Sequence, residues 1–432
     1  MQKICKSWQP CYNVWSRYLL FLFLSVFFLA SCKKDNDADP EEEKIISPTT
    51  GTRTQFTLDS IFLYASQVYL WQDALPAYKD FDPRTKYGSI SPELTAFKKE
   101  LYDITQYKKN SAGIPFENPI GTGVPKYSYI EKGTTKSGST AAIASTSSPI
   151  LYQKTWQEGN QSIGYIALGS FPLLSSCQAA LDESFAAMAA FAPTNLIIDL
   201  RSNGGGYVET ATYLTNLIGT TALNGKVMFT EQFNPIMQNG KATILKHQVY
   251  LDEQGKTVSY QGRVATMADV DFSEKENTKI FEKKGKLESV KNIYFIVTGR
   301  TASASELVIS SLMPYFPVKL VGQKTYGKPV GFFAINIDQY NLYLASFLIR
   351  NANGWSDYFN GMPVDVTITG TSSLPLGDPK EPYLAATLDL ISGKVKSSTS
   401  ARSATTQSTQ TEQQEIPYVP MIKSDLKLKP LN

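Results

Sequence analysis

Two short apolar runs constrain this chain more than any other feature. Residues 196–200 (Leu-Ile-Ile-Asp-Leu) read as a buried strand, and residues 293–297 (Ile-Tyr-Phe-Ile-Val) carry the same apolar strand pattern. Each runs into a turn of small residues. The first meets Arg201-Ser202-Asn203-Gly204-Gly205-Gly206, the second Ala302-Ser303-Ala304-Ser305. Helical spacing follows both times, through Ala211, Leu214 and Ile218 and through Val308, Leu312 and Tyr315. A further strand at 163–168 and an alanine-rich helix at 177–191, with Leu181, Phe185 and Met188 aligned, repeat the pattern. Strand, turn and helix in alternation make an α/β core.

The second turn carries chemistry. Ser303 opens a helix, so its hydroxyl lies beside backbone N–H groups with no partner inside the helix, which suits both an attacking oxygen and a developing oxyanion. The strand at 318–321 leads into a tight Tyr326-Gly327-Lys328 turn that can return an amine toward the serine, making Ser303 and Lys328 a candidate dyad. The same residues also have a structural reading. Ser303 with Glu306 three positions on is a capping box, and a lysine in a glycine turn is commonly solvated. The three glycines look superficially like a phosphate loop, but neither G-x-x-x-x-G-K-[ST] nor G-x-G-x-x-G with a following acidic residue is present.

Composition excludes several classes. The chain has 432 residues and a formal charge of +3, with no basic block beside aromatics, which argues against nucleic acid as a partner. His247 is the only histidine, so a multi-histidine zinc site such as H-E-x-x-H is impossible, no metal site is expected, and a Ser-His-Asp triad would hang on one residue in a polar stretch.

Taken together these segments resemble peptidase family S41, the C-terminal processing or tail-specific proteases. Ser303-Ala304-Ser305-Glu306 followed by Thr325-Tyr326-Gly327-Lys328 resembles the family's S-A-S-E and T-[FY]-G-K elements, and residues 199–206 resemble its D-L-R-x-N-x-G-G element. Residues 361–366 and 376–379 resemble its closing elements. The resemblance implies a ClpP/crotonase-like α/β core, no cofactor, protein or peptide substrates, Ser303 as nucleophile and Lys328 as base. It also implies an oxyanion hole from the amide of Ala304 and that of Gly205 or Gly206. Glu306 either orients the dyad or only caps the helix. Relatives with a third group place glutamine four residues after the lysine or aspartate eleven after the serine, where this chain has Phe332 and Pro314. A lysine serves as base near neutral pH only when its ammonium form is disfavoured, so Lys328 must be desolvated. The alternative is a catalytically inactive lipoprotein of the same fold that binds peptide or lipid.

The remaining organisation follows in order. Residues 1–32 read as a secretory signal, with Lys3, Lys6 and Arg17 before an apolar run too short for a membrane span. Leu29-Ala30-Ser31-Cys32 resembles a lipobox, which implies acylation of Cys32 and a place in the cell envelope. The acidic run after it resembles the surface-export signal of Bacteroidetes lipoproteins. Cys5 and Cys11 would leave with the signal, so Cys32 and Cys177 remain and no intrachain disulfide is expected. Residues 33–55 form a polar tether spanning roughly 25 Å, and 56–107 a helical subdomain. Residues 108–161 are a linker or a reduced PDZ remnant, too short and too poor in apolar residues for a complete PDZ domain. The peptidase core runs over 162–393, and 394–432 is a Ser/Thr/Gln-rich tail whose final part packs back or dangles.

Overall fold

The computed structural model describes residues 46–133, 148–252, 255–394, 402–403, 421, 423 and 426–430. Contacts divide the chain into Met1–Pro48 and Thr49–Asn432. Of the first unit only residues 46–48 are described, so the signal, Cys32 and most of the tether lie outside the described residues. All that follows concerns the second unit.

Helices come first. Arg53–Val68 starts inside the expected tether because Thr52 and Gln55 cap it reciprocally: Gln55 N–H donates to Thr52 Oγ1 at 3.2 Å and Thr52 N–H to Gln55 Oε1 at 2.8 Å. Its buried stripe, Leu58, Ile61, Phe62, Ala65 and Val68, packs near the Glu93–Thr105 helix, which buries Phe97, Leu101 and Ile104. Phe97 meets Tyr340 edge to face at 5.0 Å, joining these helices to a three-stranded sheet of Tyr129–Lys132, Tyr340–Tyr343 and Ala334–Ile337.

The centre is a seven-stranded sheet in the order Arg402–Ser403, Val366–Thr369, Val318–Gly322, Asn292–Val297, Asn195–Asp199, Gln161–Leu168, Ile150–Glu158. Every pairing is parallel except the last, an antiparallel edge. Strand alternation explains why the apolar runs are continuous: Leu196 and Ile198 enter one core cluster, while Ile197 between them enters the other. Helices Leu174–Phe191, Val208–Ile218 and Ala304–Leu312 supply the first cluster, and Pro382–Ile391 supplies the second. The fold is the expected α/β core with a helical N-terminal region. The 108–161 interval contributes strands to the two sheets above, and among the described residues it forms no PDZ domain.

Three expectations change in detail. The helix after Ser303 stops at Leu312, so Tyr315 is not on it, because Pro314 has no N–H to continue the ladder. Residues 342–348, whose apolar sequence reads as one strand, fall in two, Tyr340–Tyr343 and Phe347–Asn351, in different sheets. Residues 332–335, whose apolar sequence also reads as one strand, are divided: Ala334–Ile337 is the strand, Val330–Gly331 before it pairs with Phe347–Asn351, and Phe332 between them turns to a distant segment. Phe332 N–H donates to Met421 O at 3.0 Å and Phe332 O accepts from Lys423 N–H at 3.1 Å. Lys423 Nζ then forms an ion pair with Glu231 on Val227–Phe233, both side chains within 1% of full burial. Leu428 bridges Val270 nearby, so the described part of the tail packs back.

Candidate active site

Both small-residue turns leave the same end of adjacent parallel strands, which is where crevices form in open α/β sheets. Asn195–Asp199 ends at Asp199, whose buried carboxylate takes the Tyr165 hydroxyl at 2.7 Å and the Arg201 Nε at 2.9 Å. Arg201 continues to Glu381, with Nη1 and Nη2 donating at 2.8 and 2.9 Å, and lies 4.5 Å over the Tyr383 ring. This arginine pins the base of the glycine turn to the helix on the opposite face.

Above that base the turns are tied together. Thr301 Oγ1 donates to Leu200 O at 2.7 Å, Ala302 N–H to Asn203 O at 3.3 Å, and Ser305 Oγ to Asn203 O at 3.0 Å. Gly205 sits against the serine so closely that a Cβ there would lie 2.7 Å from Ser303 Cβ and 2.9 Å from Ala304 N, and its φ of 107° is open to glycine alone. Gly205 N–H donates to Asn203 Oδ1 at 2.9 Å. The amides of Gly206 and Ala304 have no acceptor among the described residues.

Ser303 is fully buried and adopts φ 64° and ψ −119°, an unusual conformation for a residue with a side chain. Its Oγ makes no hydrogen bond with Lys328 Nζ or any other group among the described residues. The capping box is therefore half made. Glu306 takes the Ser303 N–H at 3.0 Å, but the serine hydroxyl is not spent on the helix.

Glu306 does more than cap. Oε1 accepts from Thr325 Oγ1 at 2.5 Å and Gly327 N–H at 2.7 Å, while Oε2 accepts from Lys328 N–H at 2.8 Å and Ser303 N–H at 3.0 Å. One buried carboxylate thus fastens the serine turn to the lysine turn. Burial raises its pKa, and the four donors oppose that shift. Tyr326 N–H to Thr301 O at 3.0 Å and the Tyr127 hydroxyl to Gly327 O at 2.7 Å complete the attachment.

Lys328 is buried, with Nζ 4.4 Å from the centre of the Phe332 ring. Desolvation pulls the amine well below the ordinary lysine value, against the attraction of the carboxylates of Glu117 and Glu306. The sequence reading missed Glu117. It is buried and accepts from Tyr127 N–H, Ser128 N–H and Ser128 Oγ at 2.6–3.0 Å, but it lies in an irregular polar stretch with no periodicity to mark it. His247 is exposed on the Thr243–His247 turn. Among the described residues no group of three or more acidic, histidine or cysteine side chains could hold a metal ion.

The family model for peptidase family S41 matches residues 162–361, the stretch that holds both turns, Glu306 and Lys328. Residues 162–361 are an S41 peptidase domain. A structure from Bacteroides fragilis NCTC 9343 assigned to the S41 proteases is 15% identical, covers 78% of this chain and 98% of its own, and superposes with a TM-score of 0.50. A peptidase structure from Parabacteroides merdae ATCC 43184 is 15% identical over 81% of this chain and 100% of its own, at TM-score 0.44. The photosystem II D1 C-terminal processing protease is 13% identical over 74% and 93%, at 0.43. No curated protein is similar enough in sequence to match. The S41 match supports a serine-type peptidase in residues 162–361 and suggests peptides or proteins as the substrate class.

Proposed function

We propose that this S41 chain is an endopeptidase that uses Ser303 as nucleophile and Lys328 as general base, attached to the cell envelope through an acylated Cys32. The observation that carries the reading is the Glu306 cluster: a hydroxyl with no hydrogen bond and an amine held away from its charged form are presented by turns fastened to one carboxylate.

The chemistry follows in two halves. Ser303 Oγ attacks the scissile carbonyl as its proton passes to neutral Lys328. The tetrahedral oxyanion takes hydrogen bonds from the amides of Ala304 and Gly206. Gly206 is preferred to Gly205 because Asn203 already holds the Gly205 amide. The C–N bond breaks as Lys328 returns the proton to the leaving amine, leaving an ester on Ser303. Water then attacks that ester, giving a proton to Lys328, and the serine recovers its proton as the acid product departs.

The inactive-scaffold reading rests on one observation, the missing hydrogen bond between Ser303 Oγ and Lys328 Nζ. Catalytic hydrogen bonds in substrate-free enzymes are often long and tighten on binding, which favours the enzyme. A serine-directed acylating probe decides between them. Labelling of the wild type that disappears in both Ser303→Ala and Lys328→Ala supports the dyad, and no labelling of the folded wild type sinks it. Membrane fractionation of Cys32→Ser tests the anchor separately.

A further inference from the structure

A cavity of about 390 Å³ lies beside the lysine turn, lined in part by Lys109, Phe116, Lys126, Asp357 and Phe359. Its size falls within the range of roughly 300–1,000 Å³ found for small-ligand sites. The wall is continuous with the peptidase site. The Tyr326 hydroxyl donates to Lys126 O at 3.2 Å, the Tyr127 hydroxyl reaches Gly327 O, and a Cβ on Gly327 would lie 2.6 Å from Phe359 O. Whatever fills the cavity therefore sits next to the chain segment that carries Lys328.

Lys126 is the unusual member of the lining. Its Nζ donates to Phe359 O at 2.6 Å and lies 5.0 Å and 5.5 Å from the ring centres of Tyr326 and Tyr127. Among the described residues no carboxylate pairs with it, and Asp357 on the same wall pairs with neither lysine. A partly buried ammonium with N–H groups to spare and no directly paired carboxylate among the described residues gains when an anion joins it. Burial accordingly draws the amine down to about 8, although the Glu306 charge acts in the other direction. Phe116 stacks on Trp71 and meets Phe359 edge to face at 4.8 Å, so one part of an otherwise largely polar wall is a pair of packed aromatic rings.

We propose that this cavity is a substrate subsite for a carboxylate, held by Lys126, with the apolar part of the same residue against Phe116 and Phe359. The carboxylate is either the free end of the peptide or the side chain of Asp or Glu. The assignment rests on the peptidase reading only in taking the ligand to be part of a peptide.

Two peptide pairs test it, with Ser303→Ala protein so that binding is read without turnover. The first pair is a labelled alanine-serine decapeptide ending in phenylalanine, as free acid and as amide. The second is the amidated decapeptide with one internal glutamate or glutamine. The acid member of one pair should bind about tenfold tighter, the scale of one charge-assisted hydrogen bond. The pair that shows the preference identifies the source of the carboxylate. In Lys126→Met that acid-to-amide ratio should fall to near one. Equal affinities within both pairs overturn the proposal, and this comparison needs no change at Lys126, so it stands even if the variant fails to fold. A preference that survives in folded Lys126→Met also overturns it. Acid-selective binding by a protein that cleaves nothing removes the peptidase reading and keeps the subsite, and cleavage without acid preference does the reverse.

Discussion

Ser303 and Lys328 donate their backbone N–H groups to one oxygen, Oε2 of Glu306, at 3.0 and 2.8 Å. The nucleophile and the base of the proposed reaction are thus positioned through main chain rather than by contact between their side chains. A carboxylate at position 306 serves because it offers only acceptors to four converging donors.

Glu306→Gln should therefore impair more than folding. The amide nitrogen of glutamine must face at least one N–H that now has an acceptor, and each unsatisfied donor costs about 1–3 kcal/mol. We expect a lower melting temperature and a loss of at least about tenfold in kcat. The Glu306 charge also raises the Lys328 pKa, so its removal should move the acid limb of the pH–rate profile to lower pH. A profile that stays in place would restrict Glu306 to a structural role.

The pH profile of the wild type follows from Lys328. A general base must be unprotonated, and burial lowers this amine well below 10.5, so kcat/KM should rise with pH to a plateau reached well before that value. Initial rates against pH measure it. A limb centred near the ordinary lysine value would contradict a desolvated base.

The same burial has a cost in stability. Between the depressed folded pKa and about 10.5, the unfolded chain holds a proton on Lys328 that the folded chain lacks, so stability from this group rises with pH through that window. Lys328→Met removes the penalty. It should raise the melting temperature at neutral pH while abolishing turnover, and the gain should fade as pH approaches 10.5. Paired melts of wild type and variant across pH provide the check.

Gly205→Ala introduces a methyl group 2.7 Å from Ser303 Cβ and 2.8 Å from Ala302 O, at a φ that L-residues avoid. The turns must separate to admit it. We expect about 100-fold lower kcat/KM from nucleophile displacement on the scale of 1 Å, and about 1–3 kcal/mol lower stability. Denaturant melts with kinetics on one preparation would show both.

Lys423→Met removes the cation paired with the buried Glu231 carboxylate, at a cost of about 3–5 kcal/mol. Pairing it with Glu231→Leu removes both charges and should recover most of that loss. Urea midpoints of the two single variants and the double variant measure the coupling, and additive losses would refute it.

Much of this architecture was legible because the informative signals are local. Apolar runs such as residues 196–200 announce strands, and small residues after them announce the turns that bear the site. Partnership across the chain was not legible. Phe332 reads as a strand residue, yet nothing local tells that its backbone pairs with Met421 and Lys423. Ser303 and Glu306 fit a cap equally well on paper. Only packing shows that Thr325, Gly327 and Lys328 converge on the same carboxylate. Glu117 and Lys126 went unnoticed because burial, not residue type, gives them their properties.

The seat of Met421 and Lys423 beside Phe332 also sets an order in time. A ribosome releases the serine turn, the lysine turn and every strand between them long before it releases residue 421. Until then the backbone N–H and C=O of Phe332 lack these two partners. A nascent chain at that stage would already hold Ser303 and Lys328, but not yet the last backbone partners of the residue packed against the lysine.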